Sequence, residues 1–496
     1  MAARDRRYHG CLVLLFAIQT RSQTAARPRV AIIGSGISGA STAYFLARAR
    51  RDAELVIFER DRAVGGRTRT RAWRGARTAP PIDEGATSVS TLNVYLVEWM
   101  REFNISRATD ARGEIGIWDG RSFRFRADAG SPLFAARVLW RYGASPLRLR
   151  GALRTTVAKL RAVYELQAAG ASFDSPEQLF RALGLFESTQ ANAATELARA
   201  GVGARFVSEL VDGASRCNYL QPSAELSAFV NLVSLAGAAL EGSVFRVHGG
   251  TAALTRRVLN ASRARVRTGV EVLAIERRAG SERFTLATRP ADRARGAAVE
   301  LERFDAVVIA APLEASAIEL RVAGAPPVQR ERPFVRTHVT FVEADGLSGA
   351  WFGASAAAAV GEVLTVTNES LPFHSIGLSA RLARAAPEMS AQDAAARRGV
   401  WKLFSKAPLA DAQLDGLFAA RGTTRRVVWD APGAYPVLRP TPLWPPFKLA
   451  PGLAYAGAME SAVSCMETQA IAGRNAALLV AAGLALDRPL RKRSSC

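Results

Sequence analysis

The chain is poor in the residues that build metal centres and disulfide frameworks. Its 496 residues include only four cysteines and four histidines. Neither Cys11, Cys217, Cys465 and Cys496 nor His9, His248, His338 and His374 stand at the spacing of a zinc or iron site, so no metal is expected. A Cys217–Cys465 disulfide requires that the fold bring the two together, which spacing does not decide. Long apolar runs are also missing. The longest, Phe229 to Leu240 and Ala476 to Leu486, have the length of buried helices rather than of membrane spans. Lysine is nearly absent: it supplies five of the 66 cationic side chains, and arginine the rest. Those arginines are scattered, with no long basic run and no aromatic-interleaved patch. That argues against nucleic-acid binding despite a net charge of +22. A charge of this size fits loose peripheral attraction to anionic membranes.

With 49 % hydrophobic residues, the chain can build cores for two or three domains. The most informative stretch is Arg29-Val30-Ala31-Ile32-Ile33-Gly34-Ser35-Gly36-Ile37-Ser38-Gly39. A β-branched run stops at a glycine and opens a helical pattern, with glycines spaced G-x-G-x-x-G. Gly34 permits the sharp turn, Gly36 lets the backbone approach a pyrophosphate, and Gly39 lets the helix pack closely on the strand. Ser35 and Ser38 lie within the same turn, and the helix N-terminus faces the phosphates. A second strand, Glu54 to Phe58, ends in Glu59, 20 residues past Gly39, where a carboxylate accepts from a ribose diol and repels a 2′-phosphate. Arg60 follows. Then Val64-Gly65-Gly66-Arg67-Thr68 resembles the second fingerprint of FAD-containing oxidoreductases, with Arg67 offsetting phosphate charge.

Nucleotide-type segments recur in three separated places, which predicts an α/β fold with a discontinuous, amine-oxidase-like, Rossmann-type FAD-binding domain and an inserted α+β substrate domain. The expected boundaries are 28–115, 243–315 and 450–488 for the first, and 116–242 and 316–449 for the second. Asp119-Gly120 marks a hairpin. The block from Pro132 to about Gly201 is helical, with Gly151 and Gly170 read as breaks. Residues 1–27 combine a basic flank with the short apolar core Cys11 to Ile18, the pattern of a signal peptide, or else form a disordered tail. Sequons at Asn104, Asn260 and Asn368 fit a secreted glycoprotein. Residues 489–496 form a basic tail.

The chain resembles the prenylcysteine oxidase (prenylcysteine lyase) family. The likeness includes the Gly34 and Gly66 turns, Trp140 to Leu149, Cys217-Asn218-Tyr219, Ala228-Phe229-Val230, Val233 to Gly237, Phe304 to Leu313 and Gly457 to Leu479. It implies non-covalent FAD and oxidative cleavage of farnesyl- or geranylgeranyl-cysteine by flavin-centred hydride transfer. O₂ is the acceptor, and the products are cysteine, a prenyl aldehyde and hydrogen peroxide. It implies a role in breaking down prenylated proteins, in the lysosome or vacuole or after secretion. On these positions Gly85 and Ala86 would bring amides near the flavin. Val272 would contact adenine through its backbone. Glu460, Met466, Glu467 and Thr468 would lie at the flavin end of the last helix. Trp140, Tyr142, Tyr219 and Phe229 are candidates for the walls of an apolar substrate tunnel.

Two departures stand out. The family usually has Glu-Gly-Gly-Asn where this chain has His248-Gly249-Gly250-Thr251, and often His where it has Ser90. His248 is a candidate base, although a histidine beside paired glycines is more often structural. Two other readings remain open at this point: an FAD-dependent amine or polyamine oxidase, and a secreted flavin- or lipid-binding protein without catalysis.

Overall fold

A computed structural model describes residues 27–486 apart from 74–79, 109–112, 129–130, 241–243, 293–297, 314–315, 327–331, 367–369, 383–397 and 431. The expected signal peptide and basic tail, with Cys11, Cys496 and Asn368, lie outside the described residues.

The strand Arg29–Ile33 is the centre of a six-stranded sheet. It pairs in parallel with Glu54–Glu59 on one side and Ala306–Ile309 on the other. Arg265–Thr268 extends one edge, and Leu453–Tyr455 with its antiparallel neighbour Lys448–Ala450 extends the other. The central strands are apolar and buried along their interiors, with charges only at their ends, because helices cover the sheet. Two helices, Ile37–Ala49 and the C-terminal Met466–Leu486, pack on each other closely enough for Ser41 and Thr42 hydroxyls to donate to the carbonyls of Ala470 and Gly473. A four-stranded sheet, Glu300–Phe304, Phe284–Pro290, Val270–Arg277 and Glu319–Val322, flanks this unit.

The inserted half is built on a seven-stranded, mainly antiparallel sheet. It runs from Thr424–Trp429 through Thr337–Ala344, Gly399–Ser405, Ser375–Arg381, Val360–Thr365 and Glu114–Trp118 to Phe123–Ala127. The last two strands form the Asp119-Gly120 hairpin, with Gly120 at φ 103°. A helical layer from Phe134 to Ala239 covers one side.

Several boundaries differ from those read in the sequence. Glu114–Trp118 belongs whole to the seven-stranded sheet, so a division at 115 cuts a strand. Glu319–Val322 pairs with Val270–Arg277, on the dinucleotide side of the expected division at 315. Lys448–Ala450 joins the six-stranded sheet ahead of 450. Gly151 is no break: it lies within the continuous helix Ser145–Ala168, whose preceding break is Gly143 at φ 59°. A single glycine weakens a helix by about 1 kcal/mol, which a packed apolar face overrides. Leu149 and Leu153 supply that face here.

Candidate active site

At Gly34 and Gly39 the glycine turn rests on backbone contacts that admit no larger residue. Gly34 has φ 104°, and a Cβ on Gly39 would lie 2.0 Å from the Gly34 carbonyl oxygen. Gly36 caps the helix Ile37–Ala49 without a side-chain bond, and no acidic residue lies in the first turn. A Cβ on Gly36 would meet nothing closer than the Gly65 carbonyl at 3.8 Å, and one on Gly66 would lie 3.5 Å from the Gly36 Cα. The two turns thus face each other at van der Waals distance. Ser38 Oγ is buried there and has no hydrogen-bond partner. A helix N-terminus, an orphaned hydroxyl and two facing glycine turns fit a pyrophosphate.

Glu59 turns toward this cradle. Its Oε2 accepts from the Ser35 amide at 3.0 Å and the Ser35 hydroxyl at 2.5 Å, and its Oε1 accepts from the Asp61 amide at 2.9 Å. Arg60 is exposed. Val272 is buried in a strand, paired with Thr288, and the pairing register slips just after it, between Val272 and Ala274.

Arg67 and Glu460 form an ion pair at 2.5 Å, and Arg67 also donates to the Ala434 carbonyl at 3.0 Å. Its charge is therefore met by a carboxylate, not left free for phosphate as expected. Burial alone would raise the Glu460 carboxyl. Arg67 and Arg332 outweigh it and hold Glu460 below its ordinary range, with Ser464 donating at 3.0 Å. Gly85 packs on the Arg67 carbonyl, and the Ala86 amide donates to that same oxygen at 3.0 Å, so it is not available to a flavin as expected.

Met466 and Thr468 are buried at the start of the last helix, where Thr468 Oγ accepts from the Cys465 amide at 3.2 Å. Glu467 points elsewhere than anticipated. It accepts from the Tyr95 amide and the Tyr164 hydroxyl, each at 2.8 Å, and from the Leu96 amide at 3.2 Å. It caps the helix Val94–Glu102 rather than facing a cofactor. With no ion-pair partner among the described residues, burial pushes its carboxyl up to about 7.

One residue that sequence reasoning missed joins the two halves. Lys402, on the strand Gly399–Ser405, is buried and donates to the carbonyls of Asp83 (3.1 Å) and Gly85 (3.2 Å) and to the Thr87 hydroxyl (3.0 Å). Burial lowers its pKa to about 8, partly offset by Asp83. Asp83 in turn accepts from the Thr251 amide at 3.0 Å, which gives the departure at Thr251 a structural role. The available clue was a lone charge inside an otherwise apolar strand, in a chain with almost no lysine.

Near Arg67, Tyr435 meets Tyr219 edge to face at 5.2 Å. Cys217 and Cys465 are both free thiols, and both act electrostatically on Tyr435. Burial pushes the Cys217 thiol and the Tyr435 hydroxyl up to about 12, so this wall is uncharged. Tyr435, Cys217 and Cys465 nevertheless remain half-buried.

The other substrate candidates fall elsewhere. Trp140 is 88 % exposed and walls no interior tunnel. Phe229 is fully buried against Phe180, and the Tyr142 hydroxyl donates to Glu209 at 2.8 Å within a separate core cluster. Of the four, Tyr219 alone meets Tyr435, the ring that interacts with Arg67. Their apolar character was legible; which apolar surface each meets was not. His248 sits exposed on a turn, its ring without a hydrogen-bond or ion-pair partner among the described residues. Asn104 and Asn260 are exposed.

The sheet order, the paired glycine turns and Glu59 define a Rossmann-type dinucleotide-binding protein of the flavin amine oxidase fold. Residues 32–103 match the NAD(P)-binding Rossmann-like domain. Putrescine oxidase bound to putrescine superposes with a TM-score of 0.57 at 15 % identity, covering 91 % of this chain and 98 % of that one. More specifically, residues 131–488 match the prenylcysteine lyase family, and the chain belongs to it. It is 29 % identical to prenylcysteine oxidase 1 of Mus musculus, over 91 % of this chain and 88 % of that protein. It is 28 % identical to farnesylcysteine lyase of Arabidopsis thaliana, over 91 % and 87 %.

Proposed function

We propose that this protein binds FAD without a covalent link and oxidatively cleaves the thioether of farnesyl- or geranylgeranyl-cysteine. In the overall reaction the carbon–sulfur bond breaks, and the allylic carbon is oxidised to an aldehyde whose oxygen comes from water. Cysteine leaves as the thiol, and O₂ takes up two electrons and two protons to become hydrogen peroxide. Bound FAD supplies the two-electron acceptor for the thioether. Gly34, Gly36, Gly39 and Gly66 shape the pyrophosphate cradle, Ser38 donates into it, and Glu59 accepts from the ribose. The Arg67–Glu460 pair and Lys402 hold the Gly85 turn and the inserted sheet in register, which orients the substrate and excludes water.

The observation that carries this reading is geometric. Beside Arg67 the cradle adjoins the uncharged Tyr219–Tyr435 wall, which suits an apolar tail. The names of the family relatives support the prenylcysteine class. We extend the proposal to a lysosomal, vacuolar or secreted location on the N-terminal sequence pattern alone.

A peroxide-coupled assay with farnesylcysteine, benzylamine and spermine tests the proposal. Peroxide from farnesylcysteine alone is the expected result. Peroxide from either amine alone would make it an amine oxidase, and flavin that stays oxidised with all three would make it a binding protein.

A further inference from the structure

The segment from Leu133 to Leu147 carries four of the ten large hydrophobic side chains exposed among the described residues, so apolar exposure is concentrated there. Trp140 is 88 % exposed, Leu133 63 %, Leu147 59 % and Leu139 40 %. This exposure follows from local geometry. In the helix Phe134–Tyr142, Val138 and Tyr142 turn inward at i, i+4 spacing. Leu133, Arg137 and Trp140, at i, i+4 and i+7, fall on the outward stripe. Gly143, at φ 59°, then breaks the chain into the next helix, whose first turn presents Leu147.

The same stretch of sequence is basic. Between Asp128 and Glu165 the sequence has no carboxylate but seven cations: Arg137, Arg141, Arg148, Arg150, Arg154, Lys159 and Arg161. Trp140 and the side chains of Arg124, Arg126, Arg137 and Arg141 line a cleft of about 400 Å³ between the helix and the hairpin strand Phe123–Ala127. Three of these arginines face carboxylates: Arg124 Asp119, Arg126 Glu114 and Arg141 Glu209. Arg137 has no ion-pair partner among the described residues.

We propose that this surface docks the protein on an anionic lipid bilayer. Trp140 lies at the level of the interface, Leu133 and Leu147 enter the acyl boundary, and Arg137 in the cleft meets an anionic headgroup. Indole is suited to that depth because its body is apolar and its N–H remains wet. No helix among the described residues is long and apolar enough to cross a membrane, so this contact is peripheral. Neither FAD binding nor the substrate assignment is needed for the inference. If the substrate carries a prenyl tail, however, docking here brings the protein to the phase that holds it.

Flotation of the full-length protein with phosphatidylcholine vesicles, with and without phosphatidylserine, tests the inference at low and high salt. The expected result is binding only to vesicles containing phosphatidylserine, weakened by salt. Arg137→Glu is expected to lower the bound fraction about fivefold or more, since each cation near such a surface contributes a factor of this order. Trp140→Ala combined with Leu147→Ala is expected to lower binding even at low salt. The matched reversal Arg257→Glu, on an exposed position of the helix Thr251–Ala261, is expected to leave binding near the wild-type level. Unchanged melting temperatures show that the variants fold. Equal losses from Arg137→Glu and Arg257→Glu, with the apolar double variant binding normally, would reduce the effect to net charge and overturn the proposal. So would a failure of the wild-type protein to float.

Discussion

The parallel sheet bearing the glycine turn and the inserted seven-stranded half tolerate change in different ways. In the first, backbone meets backbone. A Cβ on Gly39 would lie 2.0 Å from the Gly34 oxygen, and one on Gly85 would lie 1.9 Å from the Arg67 oxygen. The second has such contacts too, a Cβ on Gly399 lying 2.6 Å from the Ala380 oxygen, but much of its shape comes from side chains packed on side chains, as where Trp118 meets Phe352 and Trp401 meets Phe418. There, Gly151 has nothing within 4 Å of where a Cβ would sit. Backbone contact forbids every residue but glycine and so leaves a mark in the sequence. Side-chain packing accepts many combinations of similar volume and leaves none.

The largest expected effect tests the first half. Gly39→Ala should cost more than about 3 kcal/mol, because backbone cannot yield as a flexible side chain can. Denaturant unfolding and the flavin-to-protein absorbance ratio measure it; a stable, yellow variant would erase the distinction drawn here.

Next in size is the ion pair that ties the cradle to the short turn Ala458–Ser461 ahead of the last helix. Glu460→Gln leaves Arg67 without its buried counter-charge and should destabilise by roughly 3 kcal/mol. Glu467→Gln, seven residues on, should not, because no cation depends on it. The difference between the two midpoints in urea checks this.

Glu467 also sets a pH dependence. The folded protein holds its proton to about pH 7, whereas the ordinary value of 4.5 applies when unfolded. The unfolded state therefore releases this proton first. The contribution is complete below about pH 4.5 and is lost as pH rises through 7, by up to roughly 3 kcal/mol. Unfolding midpoints measured between these pH values should fall with rising pH in the wild type, and this part of the slope should vanish in Glu467→Gln. A parallel slope in the variant would assign it to other groups.

The smallest effect lies in the inserted half. Gly151→Ala should add about 0.5–1 kcal/mol and leave flavin content unchanged, since its helix runs through this position unbroken. A loss of stability there would mean that the helix needs its glycine after all.

The same contrast explains what could be read from the sequence. The Gly34–Gly39 turn, Glu59, the Asp119-Gly120 hairpin and the final helix were legible, because each rests on local backbone geometry or on periodicity. Lys402 was missed because its three acceptors lie more than 300 residues away. Trp140 was misplaced because an apolar residue on a helix reads the same whether it faces a tunnel, a core or a membrane. Glu467 was placed on the right helix, but its partner helix, Val94–Glu102, left no sign that it needed a cap.

The most direct test is the absorption spectrum of the purified full-length protein, recorded before and after anaerobic addition of farnesylcysteine. Oxidised flavin bands at the start and their bleaching on addition are the expected result. A colourless protein that FAD fails to reconstitute would contradict it.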